Sequence, residues 1–237
     1  MALPKLTTPT YELEIPSTDE KIKYRPFLVK EEKILMMAME SKKSADIVQA
    51  VKEIVNECTF NKIDISTIPM FDVEYIFLQV RSKSVGEVSK LKLLCPDDGV
   101  TYADIELDLN EVKVQVGDDH TNKIALDNGM GMIMTYPSLD SFKGSGIRDI
   151  NSSNMLEVIS GCIMQIYEED GKKTYDPKDQ TQKELTDFIE QLTTKQFQNV
   201  QSFFDTMPKL KHTVTVKNPK TKKESEIVLS GLNDFFV

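Results

Sequence analysis

The spacing of apolar residues along this chain switches between two periods, and that switch limits its possible folds more than any other feature. Residues 11–24 alternate apolar and polar side chains around a central turn, as strands with one buried face do. From Leu28 the spacing becomes helical and stays so over 44–55 and 71–83, and alternation then returns over 88–116. Because the periods change in short blocks, the sequence predicts an α+β fold with amphipathic helices and small antiparallel β-hairpins in each half, and no large parallel sheet.

The second half of the chain repeats this mixture. Residues 127–129, Asp-Asn-Gly, separate two short alternating segments and predict a hairpin. Helix-start signals, in which Asn or Thr precedes Glu or Gln by three residues, occur at Asn154, Thr181 and Thr193 and predict three helices. The first helix would carry one apolar stripe and end in the acidic run 168–170. That stripe consists of Leu156, Ile159, Ile163 and Ile166.

A stretch containing Gly144-Ser145-Gly146, within residues 138–151, is typical of a loop and predicts a domain boundary. The first predicted domain, 1–137, holds the N-terminal hairpin, helices and a β-rich hairpin region. The second, 138–237, holds a helical bundle, a C-terminal β-hairpin and an apolar tail.

Composition excludes several classes of function. The chain has 29 Lys and Arg against 38 Asp and Glu, and the difference, 29 − 38 = −9, repels phosphate backbones and anionic lipid headgroups. No apolar stretch approaches the roughly 20 residues of a bilayer span, and the first ten residues do not resemble a signal or transit peptide. Three scattered cysteines fit a reducing cytosol. We therefore expect neither nucleic acid nor membrane as a partner.

Few residues can form a reactive centre. His120 follows two aspartates in what we interpret as a solvated acidic loop, and His212 lies in an alternating basic segment as a surface or half-buried side chain. Cys95 begins a Cys-Pro-Asp-Asp-Gly turn, but a single cysteine cannot complete a zinc site, so we interpret it as a small apolar side chain in a tight turn. We expect no catalytic residues, no metal and no cofactor.

Two further patterns leave alternatives open. Between Lys209 and Lys223 the chain has six lysines and no acidic residue, which favours a charged sheet edge or a face that docks on an acidic partner. Methionines are grouped at 36–39 and at 130–134. They could form adaptable contact surfaces, although core packing is the commoner role of methionine.

Four segments together resemble the baseplate hub family of T4-like contractile-tailed phages. They are Pro26–Lys33, Tyr75–Glu87, Tyr136–Leu139 and Gly231–Phe236, and their order and spacing match over most of the chain. Within them, Arg81–Glu87 and the Gly-Leu-Asn-Asp-Phe-Phe ending are the more specific pieces. Some relatives carry cysteine pairs like those of zinc ribbons at their hairpin tips, and in this respect the chain departs from them. Since this chain has one cysteine at one tip and none at Asn218-Pro219-Lys220, no metal is carried over.

The resemblance implies a late viral protein, made in the bacterial host cytoplasm and present there or in the virion tail. It implies no enzyme activity, but a hub component or a chaperone of hub assembly that contacts other hub or tail proteins, with oligomerisation inside the assembly. The alternative is a cytosolic enzyme or regulatory binding protein with an unrecognised site. As partner-binding residues we predict Arg81, Lys83, Leu232, Phe235 and Phe236, the last three against a neighbouring subunit. The alternative for this tail is that it folds back onto its own core.

Overall fold

The computed structural model describes residues 6–41, 43–127, 129–142 and 155–235. The chain divides into two compact units by the contacts it makes. Unit 1 comprises residues 1–65, 71–115 and 209–237, and unit 2 comprises 66–70 and 116–208. The predicted division into domains 1–137 and 138–237 means that each of these segments would fold independently. That division stays a prediction.

Unit 1 combines three helices with three small antiparallel sheets. The N-terminal hairpin pairs two strands, and the two helices after it lie side by side. The helices are α1 (Val29–Ser41), α2 (Ser44–Cys58) and α3 (Met70–Val85). The strands are β1 (Tyr11–Glu14), β2 (Lys21–Tyr24), β3 (Val88–Leu94), β4 (Tyr102–Asp108), β5 (Lys113–Gln115), β10 (Lys209–Lys217) and β11 (Glu224–Ser230). Strand β3 pairs with β4, and β10 lies between β11 and β5. The six lysines of 209–223 therefore begin on a central strand and end in an exposed turn.

The β-rich part of unit 1 has a continuous apolar core. Alternate residues of β3, β4, β10 and β11 enter it, which is why these strands alternate in sequence. Phe235, in a 3₁₀ turn at Leu232–Phe235, is fully buried in the same core. The hydroxyl of Ser89 donates a 2.9 Å hydrogen bond to the Phe235 carbonyl, which fixes the end of the chain against β3.

Unit 2 packs three helices on a four-stranded antiparallel sheet ordered β6-β7-β8-β9. Its strands are β6 (Lys123–Ala125), β7 (Gly131–Met134), β8 (Ile163–Glu168) and β9 (Lys173–Tyr175), and its helices are α4 (Met155–Gly161), α5 (Gln182–Glu190) and α6 (Thr194–Thr206). Two of the three predicted helix-start motifs are present: Thr181 and Glu184 bond each other's backbone N–H at the start of α5, and Thr193 and Gln196 do so at the start of α6. The third, at Asn154, lies outside the described residues.

The predicted helix through Ile166 is wrong beyond Gly161. The chain continues as strand β8, so the acidic run 168–170 lies at a strand end and in a 3₁₀ turn instead of at a helix end. The reason is a β-bulge. Met134 pairs with Ile163 and Ile133 with Gln165, which leaves Met164 without a partner on β7. The extra residue places the buried Ile163 and Ile166 three positions apart, a spacing that imitates a helix.

The fold class is confirmed: six helices and sheets of two to four antiparallel strands occur among the described residues, without a large parallel sheet. The hairpins predicted at 11–24, at 88–116, around 127–129 and near the C-terminus are all present. Within the described part of the chain, no helix has the length and apolar character that crossing a membrane requires. The proposed loop at 138–151 begins with a 3₁₀ turn at Leu139–Phe142, and its remainder lies outside the described residues.

Candidate functional site

The segment just before α1 is held rigidly by a buried ion pair. Arg25 is 8% exposed and Glu31 is 1% exposed, and their side chains lie 2.8 Å apart. Arg25 also donates to the carbonyl of Pro26 at 3.0 Å, and its backbone N–H donates to the carbonyl of Cys58 at the end of α2. The 26–30 segment is thereby fastened to both α1 and α2.

Glu31 also organises the first turn of α1. Its second carboxylate oxygen accepts a 2.7 Å hydrogen bond from the backbone N–H of Leu28, an N–H that no residue inside the helix could satisfy. Burial alone would raise the pKa of Glu31, but hydrogen bonds from Arg25, Leu28 and Lys30 outweigh it and hold the pKa below its usual value. Glu31 is therefore ionised at neutral pH. Close to the pair, burial raises the pKa of the Cys58 thiol to about 12, so this cysteine stays protonated.

The C-terminal end of α3 lies directly beside this segment. The Ser84 hydroxyl accepts a 2.9 Å hydrogen bond from the backbone N–H of Phe27, which joins two segments that are distant in sequence. α3 then ends at Val85, and Gly86 turns the chain away with a φ of +135°, a conformation that favours glycine. Two of the four segments that carry the family resemblance thus meet here.

Between them lies an open groove of about 690 Å³, which we call the α1–α3 groove. Its lining is mainly apolar, and several of those side chains are unusually exposed: Leu6 is 92% exposed, Val29 80% and Val85 60%. The groove is lined by Leu6, Thr8, Phe27, Leu28, Val29, Lys30, Glu32, Ser84 and Val85. Exposed apolar side chains grouped on a rigid frame are typical of a protein contact surface.

Helix α1 carries further exposed apolar side chains beyond the groove. Met36, Met37 and Met39 are each more than half exposed, whereas Met132 and Met134 of β7 are buried in the core of unit 2. The methionines of β7 therefore serve core packing, whereas those of α1 are exposed, and their use as a contact surface stays a prediction. Flexible, polarisable thioethers on an exposed helix can adapt to a partner surface.

Arg81 and Lys83, predicted to bind a partner, lie on the last turns of α3. Arg81 is half-buried, and burial lowers the pKa of its guanidinium. Lys83 bonds to Glu87, and its ammonium lies 5.8 Å from the centroid of the Tyr11 ring. Lys83 thus contacts other residues of unit 1, and the next residue, Ser84, lines the α1–α3 groove. The contact of Lys83 with a partner stays a prediction.

The predicted tail residues have different positions. Phe235 is fully buried in the core of its own unit, which favours the alternative that this part of the tail packs in cis. The side chain of Leu232 and the whole of Phe236 lie outside the described residues. Their docking on a neighbouring subunit stays a prediction.

The hairpin tip at Cys95 contacts the second tip in a way the sequence did not reveal. Cys95 is buried and packs in the core of unit 1, as the tight-turn interpretation expects. Beside it, the Asp97 carboxylate accepts hydrogen bonds from Asn218 (2.8 Å) and from the Thr221 hydroxyl. These bonds hold the pKa of Asp97 below its usual value and fasten the turn after β10 to the turn after β3. No cysteine or histidine pattern signals such a polar contact.

The loop before His120 is solvated as expected, since Gly117, Asp118 and Asp119 are exposed, but the His120 side chain itself is half-buried. Its Nδ1 lies 2.9 Å from the Thr206 hydroxyl and its Nε2 lies 3.1 Å from the Tyr136 hydroxyl, and its ring packs against Phe203. Thr206 donates its own proton to the Ser202 carbonyl, so Nδ1 carries the hydrogen of the imidazole and Nε2 accepts from Tyr136. Burial lowers the pKa of His120 accordingly. His212 is half-buried on β10, as expected.

In the described part of the chain, no group of three or more His, Cys, Asp or Glu side chains is arranged to hold a metal ion. Cys58, Cys95 and Cys162 are all buried free thiols. The candidate site of unit 1 is therefore the exposed apolar surface of the α1–α3 groove.

Comparison with known proteins supplies the family. No curated protein and no solved structure matches the chain significantly. The family model described as "T4 bacteriophage base plate protein" matches residues 8–237, which is almost the entire chain. The chain therefore belongs to the T4 bacteriophage base plate protein family and has a structural role in the baseplate of the phage tail.

Proposed function

We propose that this protein is a non-enzymatic component of the baseplate hub, or a chaperone of hub assembly, and that it acts through protein–protein contacts at the α1–α3 groove. One observation carries the proposal. The segments Pro26–Lys33 and Tyr75–Glu87, which carry much of the resemblance to hub proteins, lie side by side and form that groove. Its exposed valines and leucines would lose contact with water when a partner covers them.

The frame around the groove supports this role. A contact surface binds more tightly when its shape is fixed before the partner arrives, because less conformational entropy is lost on binding. Here the buried Arg25–Glu31 pair and the Phe27–Ser84 hydrogen bond fix both walls. The exposed methionines of α1 lie farther along the helix that forms one wall, and would allow the partner surface to vary.

The test replaces exposed groove residues and follows the protein into particles. Val29→Asp and Val85→Asp place charges on the groove, and Val228→Asp is a matched control because Val228 is 58% exposed on β11, compared with 60% for Val85. We expect all three variants to melt like the wild type. Only the two groove variants should be lost from purified hub intermediates and fail to support infectious particles.

Mass spectrometry of mature particles beside hub intermediates distinguishes the two roles. Stoichiometric presence in mature particles identifies a component, and presence in intermediates alone identifies a chaperone. Absence from both would contradict the hub role and favour the enzyme or regulator alternative. Groove variants that incorporate like Val228→Asp would contradict the groove as the contact site.

The predicted tail contact is tested in the same assay. Truncation after Asn233 removes Phe235 and Phe236. Because Phe235 is a core residue, we expect the truncated chain to melt at lower temperature. Reduced stability with unchanged incorporation at permissive temperature would reject docking of the tail on a neighbour.

A further inference from the structure

Strand β4 has a free edge whose geometry is fully defined by its pairing with β3. The backbone N–H of Cys95 bonds to the carbonyl of Thr101, and the N–H of Leu109 bonds to the carbonyl of Glu87. Because hydrogen-bonded positions alternate along an antiparallel strand, the odd-numbered residues of β4 face β3. The N–H and C=O groups of Tyr102, Asp104 and Glu106 therefore point to the opposite edge. Among the described residues, none of these N–H groups has a backbone partner and no strand pairs with that edge.

The side chains along this edge define what it can accept. Tyr102, Asp104, Glu106 and Asp108 are exposed on one face, while Ala103 and Leu107 are buried on the other. A second β4 strand paired here would set carboxylates against carboxylates, which is unfavourable in a strand pair. A strand with positive side chains at alternate positions would neutralise them.

The chain itself contains an example of such a strand. On the other side of β4, Lys90 lies opposite Glu106, Lys92 opposite Asp104 and Leu94 opposite Tyr102. The Lys90 ammonium lies 3.4 Å from the Glu106 carboxylate. A strand with the pattern basic-x-basic-x-apolar therefore already pairs with one edge of β4 and sets its basic residues opposite the two carboxylates. Side chains on a strand can contact neighbouring strands at either edge, so a strand with the same pattern could pair with the other edge.

We propose that the free edge of β4 is a docking site for an extended segment of another protein that carries lysine or arginine at two alternate positions followed by an apolar residue. Backbone hydrogen bonds to Tyr102, Asp104 and Glu106 would supply affinity, and the two carboxylates would select the basic segment. This site is separate from the α1–α3 groove and does not depend on the hub role. Charged side chains commonly protect exposed edge strands from aggregation. Here the carboxylates of Asp104 and Glu106 would also select a partner strand of opposite charge.

The test uses a peptide with the sequence of β3, Val-Ser-Lys-Leu-Lys-Leu-Leu, and a control peptide in which both lysines are glutamates. We expect the full-length protein to bind the lysine peptide about tenfold more tightly than the glutamate peptide, since two cross-strand ion pairs are exchanged for two repulsive pairs. Fluorescence anisotropy of labelled peptides measures both affinities. The difference should shrink at high salt.

A charge exchange tests the location. Asp104→Lys combined with Glu106→Lys should reverse the preference, so that the glutamate peptide binds more tightly. Asp187→Lys with Glu190→Lys is the matched control, because both residues are exposed on α5 and the net charge changes equally. The control should keep the wild-type preference.

Hydrogen exchange on the wild-type protein gives a readout independent of any variant. The amides of Asp104 and Glu106 should exchange more slowly when the lysine peptide is present, whereas the amides of Lys123 and Ala125 should not change. Equal binding of the two peptides, no binding of either, or protection elsewhere would overturn the proposal. Self-association that disappears in the Asp104→Lys, Glu106→Lys variant would also overturn it, by making a second copy of the chain the occupant.

Discussion

The two units bury polar groups in very different ways. Among the described residues, unit 1 buries eight polar or charged residues and unit 2 buries one, Ser160. The eight are Arg25, Glu31, Thr59, Asp72, Ser82, Ser89, Thr101 and Asn218. Several of them bond across long sequence separations, such as Ser89 to the carbonyl of Phe235. In unit 2 the core is apolar, and polar contacts such as the helix caps and the bonds of His120 to Thr206 and Tyr136 lie at exposed or half-buried positions.

This contrast has a physical consequence. Buried polar groups fix geometry because each must keep its partner or lose more free energy than the bond itself contributes. Unit 1, which contains the α1–α3 groove and the free edge of β4, therefore holds its loops in defined positions. Unit 2 depends on close apolar packing, which is sensitive to added volume.

The largest effect should come from breaking the buried ion pair of unit 1. Glu31→Gln leaves the buried Arg25 with the weaker contact to the half-exposed Glu57, 4.0 Å away, and we expect a loss of about 3 kcal/mol in the free energy of unfolding, the lower end for breaking a buried pair. Glu32→Gln, at an exposed neighbour, should change it by less than about 0.5 kcal/mol. Urea denaturation followed by circular dichroism measures both. If the two variants were equally stable, the pair would not be what holds the loop.

Replacement of both charges sharpens the same point. Arg25→Met combined with Glu31→Leu removes the charges together, so we expect much of the stability lost in Glu31→Gln to return. A double variant no more stable than the single one would indicate that hydrogen bonds to Leu28 and Pro26 matter more than the charge pair.

In unit 2 the sensitive position is a glycine in the sheet. A Cβ on Gly131 would lie 2.2 Å from the Tyr167 hydroxyl and 2.9 Å from the carbonyl oxygen of Ile124. We expect Gly131→Ala to cost about 1–3 kcal/mol by overpacking. Gly161→Ala is the control, since nothing lies within 4 Å of its Cβ position. Thermal melting should separate the two, and equal melting temperatures would contradict the packing argument.

The buried carboxyl of unit 1 should produce a pH dependence. Burial raises the pKa of Asp72 to about 6, although hydrogen bonds from Ser17 oppose the shift. Since the folded state holds this proton more tightly than the unfolded state, Asp72 makes the protein less stable as the pH rises from about 4 to 6. We expect Asp72→Asn to remove this contribution. The free energy of unfolding of the variant, relative to that of the wild type, should then increase by about 1–3 kcal/mol as the pH rises from about 4 to 6.

Denaturation at several pH values between 4 and 7 measures this difference. Glu31 and other carboxyls with lowered pKa values act in the opposite direction, so only the difference between variant and wild type is informative. A constant difference across the range would contradict the shifted pKa of Asp72.

The smallest effect should come from the local caps of unit 2. Thr181→Ala removes the hydroxyl that accepts the N–H of Glu184 at the start of α5, and we expect a loss of about 1 kcal/mol. Thr186→Ala, in the interior of the same helix, should cost less. If the cap variant were as damaging as Glu31→Gln, the contrast between the two units would not hold.

Sequence patterns predicted the elements well where the signal is local. The capping boxes at Thr181 and Thr193 were visible because their partners are three residues away. The hairpin around Asp127-Asn128-Gly129 was visible because its turn residues select its geometry. The error at β8 arose because the bulge at Met164 depends on pairing with β7, which no spacing within β8 reveals.

The candidate site was only partly predictable. Its two segments were singled out by resemblance, but the groove exists because Ser84 meets Phe27, and that contact depends on how the end of α3 meets the segment before α1. The contacts of the His120 ring could not be predicted for the same kind of reason: its neighbours Tyr136 and Phe203 are brought to it by other elements.

By itself the sequence determined the fold class, most helices and hairpins, and the family, because these depend on local periodicity, turn chemistry and residue order. Only the tertiary structure decided which methionines face solvent, that Phe235 lies in a core, and that Arg25 is paired with Glu31. Burial and long-range pairing are properties of how distant segments meet, and the free energy of each such contact depends on partners that a linear pattern does not identify.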